Sequence, residues 1–535
     1  MTIGKYNLKL IASAFVVLQI LLILFWVSRQ GSLYWDAYYT LENANSISQA
    51  NPSEHYIIYD SEFEEGKWLP VEYVVNTMIV DSSEALYYGE PDYILRSLFF
   101  KPYTSFLNIS EAILSPGVFS RWPAVFLNIL FFITTQFLLW KVAVRLSGNE
   151  VIAMMAVLLY GFSGMAFSMT TYARFYVFTT MLMTVYTYLH VLMWDLKDRE
   201  CVKAFGIECL TFLIAYWSMG TSQLTLFYYV IFIVVYCLGL LISKRFIPAT
   251  IYIVPIVIGG GLFLTRGSDY LWMITHLREA FNSTRFRGPT LWVLDSFLTL
   301  NPISFVERLA HMFLLVGRFA FGCWPVCLLF CVIVAYMCIR KRRIEYFHTA
   351  IEWIVFISAF LFILLAGGLR FYAQTRYSSY VFPLIGWIIA VVLYDFVTEY
   401  PGSIFPKVLS AVVILSVIAF TITGVRVDFV YSQDRPVIDY LKNADIDKVI
   451  IMQQDQYNID TEIIYAVSAN VSEDAELMAI KADDLKKRID DLPDEFLLAS
   501  RIEDEMITEL ETAGYSEVWS GSTYCDHYYL LRTGE

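Results

Sequence analysis

Long apolar runs separated by short polar breaks dominate this chain. A bilayer core takes roughly 20 helical residues to cross. By that criterion the runs predict about eleven spans: residues 8–27, 119–144, 151–168, 175–194, 205–219, 224–242, 247–264, 312–339, 350–368, 380–397 and 408–424. The connections near Thr171 and Thr221 are short. Gly259-Gly260-Gly261 sits inside one run, where close helix packing or a kink explains it better than phosphate binding. The first run is longer than a signal-peptide core, and no small-residue cleavage site follows it. It reads as a retained anchor.

Two regions break the pattern. Residues 28–117 are polar and aromatic. Within them, 91–100 and 103–114 mix apolar and charged residues at helical spacing, as do helices that lie along a headgroup layer. A cap packed on the bundle is the alternative. The tail from about Asp434 alternates helical and strand patterns: helices at 436–443, 482–490 and 503–513, and strands at 448–452, 496–499, 517–520 and 528–531. That is an α/β signature. It contains no Gly-rich phosphate loop, so no catalysis is assigned to it.

Composition fixes the class. Of 535 residues, 57% are hydrophobic and 17% charged, whereas soluble chains carry about a quarter charged residues. The expected fold class is therefore an α-helical polytopic membrane protein. It has a large first extracytoplasmic loop and a small C-terminal extracytoplasmic α/β domain. The formal charge of −13 argues against a nucleic-acid partner. Cys323, Cys327 and Cys331 share a helix face, but no His or acid accompanies them, so packing is the better reading than a metal site.

Basic residues in short loops set the orientation. Lys141 and Arg145, then Lys197, Arg199 and Lys203, then Lys244 and Arg245, then Arg340-Lys341-Arg342-Arg343 fall in alternate loops. That side reads as cytoplasm, with the N-terminus inside and the tail outside. Asp36, Arg174 and Arg376 then belong to the outer face.

These three are the candidate chemical groups. Asp36 is placed to act as a general base on an acceptor; the ordinary alternative is an N-cap for a helix at 37–48. Arg174 and Arg376 are suited to phosphate oxygens; the ordinary alternative is an arginine snorkelling at a helix end. Lys101 is a weaker phosphate candidate. Asp60, Glu62, Glu64 and Glu65, with His55 upstream, make either a divalent-metal site or, more simply, a solvated acidic loop. Asn108, Asn282 and Asn470 begin glycosylation triplets. No Walker loop, zinc motif or Ser–His–Asp arrangement appears, and ionisable residues are few within the spans, which favours interfacial chemistry over transport.

The order of these motifs resembles that of the C-type (GT-C) multi-span glycosyltransferases that use polyprenyl-phosphate sugars. The likeness is greatest to the bacterial branch related to protein mannosyltransferases and aminoarabinose transferases. That family opens its first outer loop with an Asp-Glu-Ala-Tyr-like motif; here Trp35-Asp36-Ala37-Tyr38 matches with one acid. A His-Pro-Pro-Leu-Tyr-Tyr-like segment corresponds to Lys101-Pro102-Tyr103-Thr104-Ser105-Phe106, and Ser-Arg-Leu-Pro to Ser120-Arg121-Trp122-Pro123. A Gln-Glu-Ala-Arg-Met-Tyr-like turn corresponds to Thr171-Tyr172-Ala173-Arg174-Phe175-Tyr176, and a late Pro-Arg-Tyr to Thr375-Arg376-Tyr377. Tyr172 stands where the family has an acid, and Lys101 where it has a histidine.

The resemblance implies a transmembrane GT-C-like catalytic domain over residues 1–430, including the outer loop 28–117, and a soluble extracytoplasmic α/β domain over 431–535. It implies transfer of a sugar from a polyprenyl-phosphate donor to a glycan, lipid or protein acceptor, with inversion and without a required metal. Asp36 would be the catalytic carboxylate, with Asp60 as the second candidate. Arg174, Arg376 and Lys101 would bind the lipid phosphate, and His55, Tyr172 and Tyr377 would line the pocket. A transporter or flippase of a lipid-linked saccharide is the alternative, and a non-enzymatic surface scaffold a third reading.

Overall fold

The computed structural model describes residues 5–46, 65–81, 85–89, 91–196, 200–222, 224–245, 302–340, 349–366, 372–453, 461–501 and 505–534, with short pieces between 248 and 261. The chain divides into two compact units. The first comprises 1–23, 128–170 and 175–428; the second comprises 24–127, 171–174 and 429–535.

The first unit is helical. Seven helices of the described chain are long and apolar enough to cross a membrane: Asn7–Ser28, Trp122–Ser147, Tyr176–Trp194, Val202–Thr221, Thr225–Ile242, Arg376–Glu399 and Ile404–Ile422. Two bent pairs raise the number among the described residues to nine: Glu150–Gly161 with Gly164–Thr171, at 54°, and Leu309–Ala320 with Trp324–Ile339, at 106°. Ala350–Ala366 is apolar but shorter than these spans. The expected span at 247–264 lies mostly outside the described residues.

The sharper bend has a local cause. Gly322 sits between the paired helices with φ +79°, a conformation that costs a Cβ-bearing residue dearly. Buried polar side chains join the helices Lys5–Ser28, Trp122–Ser147 and Glu150–Gly161. Gln136 Nε2 donates to Gln19 Oε1 at 2.9 Å, and Gln19 Nε2 donates to the Val157 carbonyl at 3.3 Å.

The second unit is built on a six-stranded sheet of order β1-β3-β2-β4-β6-β5. Its strands are β1 Leu69–Pro70, β2 Lys448–Gln453, β3 Glu476–Lys481, β4 Glu495–Ser500, β5 Tyr515–Ser522 and β6 His527–Thr533. β2 pairs in parallel with β3 and β4; the remaining pairings are antiparallel. Apolar residues on one face, among them Ile450, Met478, Phe496, Leu498 and Leu531, bury against Leu485, Met506 and Leu510 of the covering helices.

The first outer loop belongs with this sheet. β1 comes from it, and its helix Trp35–Ser46 packs on the tail helix Thr461–Ser468. The compact units therefore differ from a division at 430/431: contacts between segments hundreds of residues apart outweigh proximity along the chain. Two glycosylation triplets are packing elements here. Asn108 is fully buried, accepting from Leu86 N at 2.8 Å and donating to the Ala44 carbonyl at 2.9 Å. Asn470 is buried and donates to the Ala466 carbonyl at 2.7 Å. Asn282 lies outside the described residues.

Candidate functional site

Asp36 lies in the first turn of helix Trp35–Ser46. The helix starts two residues earlier than the sequence suggested, so Asp36 is inside it rather than capping it. An acid in a first turn also suits the positive end of the helix dipole. Its carboxylate is held by the turn at 171–174. Tyr172 Oη donates to Oδ2 at 3.1 Å, and Arg174 Nη1 lies 3.1 Å from Oδ1. The same nitrogen donates to the Asp36 backbone carbonyl at 2.8 Å. The Arg174 and Asp36 side chains are 18% and 24% exposed, so the pair is partly withdrawn from water yet reachable. Arg174 is thus an acid's partner, not an arginine snorkelling at a helix end.

Tyr172 is buried and fixed by aromatic contacts. Its ring stacks on Phe429 at 4.5 Å and 10°, with Tyr34 edge-on at 5.6 Å. Tyr172 therefore serves the Asp36 carboxylate as a hydrogen-bond donor.

The segment leading into Asp36 is tightly tied. Arg121 Nη1 donates to the Gln30 carbonyl at 3.1 Å, and Gly31 N donates to the Val430 carbonyl at 3.0 Å. A Cβ at Gly31 would stand 2.4 Å from the Tyr431 carbonyl, so this close passage needs glycine. Ser32 Oγ donates to the Asp434 carboxylate, which also accepts from Tyr524 N at 3.1 Å. Burial raises the Asp434 carboxyl above its usual range, opposed by these two hydrogen bonds.

Arg376 belongs to the helical unit. It lies in the 3-10 helix Tyr372–Val381 and is 8% exposed. Its guanidinium lies 5.6 Å from the Tyr176 ring centre and 5.4 Å from that of Tyr377. This burial also differs from snorkelling. The 3-10 helix joins Ala350–Ala366 to Phe382–Glu399. Both helices border an apolar cavity of about 200 Å³, lined by Phe313, Phe321, Phe330, Phe356, Ile363 and Ile389 among others.

Of the remaining candidates, Lys101 is exposed at the start of helix Pro102–Leu114. Its carbonyl accepts from Ser105 N at 3.0 Å. Asp60 and His55 lie outside the described residues. Among the described residues no group of three or more His, Cys, Asp or Glu is arranged to hold a metal. The sequence reading did not single out Tyr34, Arg121, Phe429, Asp434, Arg501 or Tyr524 as site residues.

No protein-family model matches the chain, and no curated protein matches it. Solved structures do. ArnT from Cupriavidus metallidurans in the apo state aligns with a TM-score of 0.51 at 10% identity, covering 97% of each chain. The same protein bound to undecaprenyl phosphate gives 0.48 at 10% identity over 97% of each chain. The oligosaccharyltransferase AglB from Archaeoglobus fulgidus, in complex with an inhibitory peptide and a dolichol-phosphate, gives 0.47 at 12% identity, covering 99% of this chain and 74% of that one. The chain has the ArnT-like fold of a multi-pass membrane protein.

Proposed function

We propose that this chain is an inverting membrane glycosyltransferase that moves a sugar from a polyprenyl-phosphate donor to an extracytoplasmic acceptor. The observation that carries the reading is the Asp36 carboxylate held between Arg174 and Tyr172. Asp36 takes the proton of an acceptor hydroxyl or amine as that atom bonds to the anomeric carbon. The bond from that carbon to the phosphate oxygen breaks, and its electron pair leaves on the polyprenyl phosphate. Arg174 supplies positive charge where that negative charge grows; Arg376 and Lys101 are the further candidates for phosphate binding. Asp60 is the second candidate base. No step is assigned to a metal.

Two further features support a lipid-borne donor. The apolar cavity bordered by Ala350–Ala366 and Phe382–Glu399 suits an isoprenoid stretch. In the other unit, helices Pro91–Phe100 and Pro102–Leu114 expose Leu95, Phe99, Phe100, Ile113 and Leu114, the face expected of helices resting at a headgroup layer. The charge pattern of the loops favours a cytoplasmic N-terminus and an extracytoplasmic tail.

The test is transfer in membranes from a panel of undecaprenyl-phosphate donors carrying radiolabelled mannose, glucose, galactose or aminoarabinose. The expected result is label moving to a water-soluble or lipid acceptor with at least one donor, and losing it in Asp36→Asn. Donor crossing the bilayer with its sugar–phosphate bond intact would replace the reading with transport.

A further inference from the structure

We infer that the C-terminal domain positions the reacting carboxylate, with Tyr524 and Arg501 as its positioning residues; this rests on Asp36 being the base proposed above. The first N–H groups of a helix have no partner inside it, and they are usually met by a neighbouring Ser, Thr, Asp or Asn. Helix Trp35–Ser46 is preceded by Tyr34, which is not one of these residue types. The Trp35 N–H donates instead to Tyr524 Oη at 3.0 Å, across 489 residues of chain. Tyr524 lies between β5 and β6, so the tail supplies the helix cap from a distance.

The Trp35 side chain is gripped by the same region. Its Nε1–H donates to Cys525 Sγ at 2.8 Å, and the Arg501 guanidinium lies 4.0 Å over its ring. Arg501 is itself fixed, donating to Glu462 at 2.6 Å and lying 3.8 Å from Asp526. Tyr524 is held by stacking on Tyr431 at 4.0 Å and 14°, and by its N–H on Asp434 at 3.1 Å. Trp35 is the immediate neighbour of Asp36, so this grip sets where the carboxylate stands. Misplacing a reacting group by about 1 Å costs on the order of 100-fold in rate.

The experiment uses full-length protein in lipid nanodiscs and the undecaprenyl-phosphate sugar from the panel that supports transfer. Tyr524→Phe keeps the stack on Tyr431 and removes the cap. Arg501→Met removes the charge over Trp35, and Arg501→Lys restores it. The expected result is a fall in kcat of about 10- to 100-fold in Tyr524→Phe and Arg501→Met, normalised to folded protein. Donor KM stays within about twofold, and Arg501→Lys recovers part of the rate. Lys487→Ala, an exposed change on the same domain, leaves transfer as it is.

A readout independent of turnover is the ¹⁹F signal of 5-fluorotryptophan at Trp35, assigned by its loss in Trp35→Phe. It is expected to move in both tail variants. Unchanged kcat in folded Tyr524→Phe and Arg501→Met, with Asp36→Asn inactive, overturns the positioning role and leaves the base in place. An active Asp36→Asn overturns the base itself. Should Arg501→Met not fold, Tyr524→Phe, which removes a single oxygen, decides the matter alone.

Discussion

Arg174 meets Asp36 twice through one nitrogen, at 2.8 Å from its backbone carbonyl and 3.1 Å from its Oδ1. One guanidinium therefore fixes both the main chain and the side chain of the proposed base. Asp36→Asn keeps the shape and removes the negative charge. We expect kcat to fall by about 100- to 10,000-fold, the usual contribution of general base catalysis, with the amount of protein in the membrane unchanged. Arg174→Lys keeps a charge without the planar fork and should fall between wild type and Arg174→Ala. Initial rates at saturating donor check both, and an Asp36→Asn variant as fast as wild type would exclude the mechanism.

Tyr172 offers a finer test. Its hydroxyl donates to Asp36 Oδ2 at 3.1 Å while its ring stacks on Phe429. Tyr172→Phe keeps the stack and deletes the donor. A hydrogen bond to a charged group contributes about 1.5–3 kcal/mol, so where it is made to the reacting carboxylate a rate loss of about tenfold or more is expected. Tyr172→Glu instead sets a second carboxylate beside the first. It should transfer more slowly than Tyr172→Phe at neutral pH, and recovery on acidification would identify like-charge repulsion as the cause.

How much of this was legible in the sequence follows from how local each feature is. Apolar runs report a bilayer residue by residue, and the motif around Arg174 carries its own spacing. In the tail, the strand at Lys448–Gln453 and the helix at Arg435–Asn443 were also readable from local pattern. The strand Glu476–Lys481 was missed because it runs straight into helix Ala482–Lys486 with no turn residue between them. The two-residue strand Leu69–Pro70 has no periodicity to detect. The Trp35–Tyr524 hydrogen bond joins residues at opposite ends of the chain, and no local rule reaches that far. The expectation that the tail plays no part in catalysis rested on its lack of a phosphate loop, and a positioning role needs none.

Arg376 is expected to act on the donor more than on the acceptor. It is buried against Tyr176 and Tyr377, and stacking of this kind contributes about 0.5–2 kcal/mol. Arg376→Met keeps much of the volume and removes the charge. Donor KM should rise about tenfold or more, and inhibition by free undecaprenyl phosphate should weaken by a similar factor, while acceptor KM stays near wild type. Equal inhibition constants in the two proteins would remove Arg376 from phosphate binding.

Glu111 gives a prediction about stability. It is buried in helix Pro102–Leu114, and neither carboxylate oxygen has a hydrogen-bond partner among the described residues. Burial pushes its carboxyl well above the usual range. The folded chain therefore retains a proton that the unfolded chain releases above the ordinary glutamate range. With more protons bound in the folded state, stability falls as pH rises through that window, by about 1.4 kcal/mol per pH unit for one proton. Below the unfolded pKa both states are protonated and the slope vanishes. Glu111→Gln cannot release a proton, so its stability relative to wild type should grow as pH rises above the ordinary glutamate range. Thermal unfolding of both proteins in one detergent across that rise in pH measures the difference, and a difference independent of pH would mean that Glu111 is ionised in the folded chain.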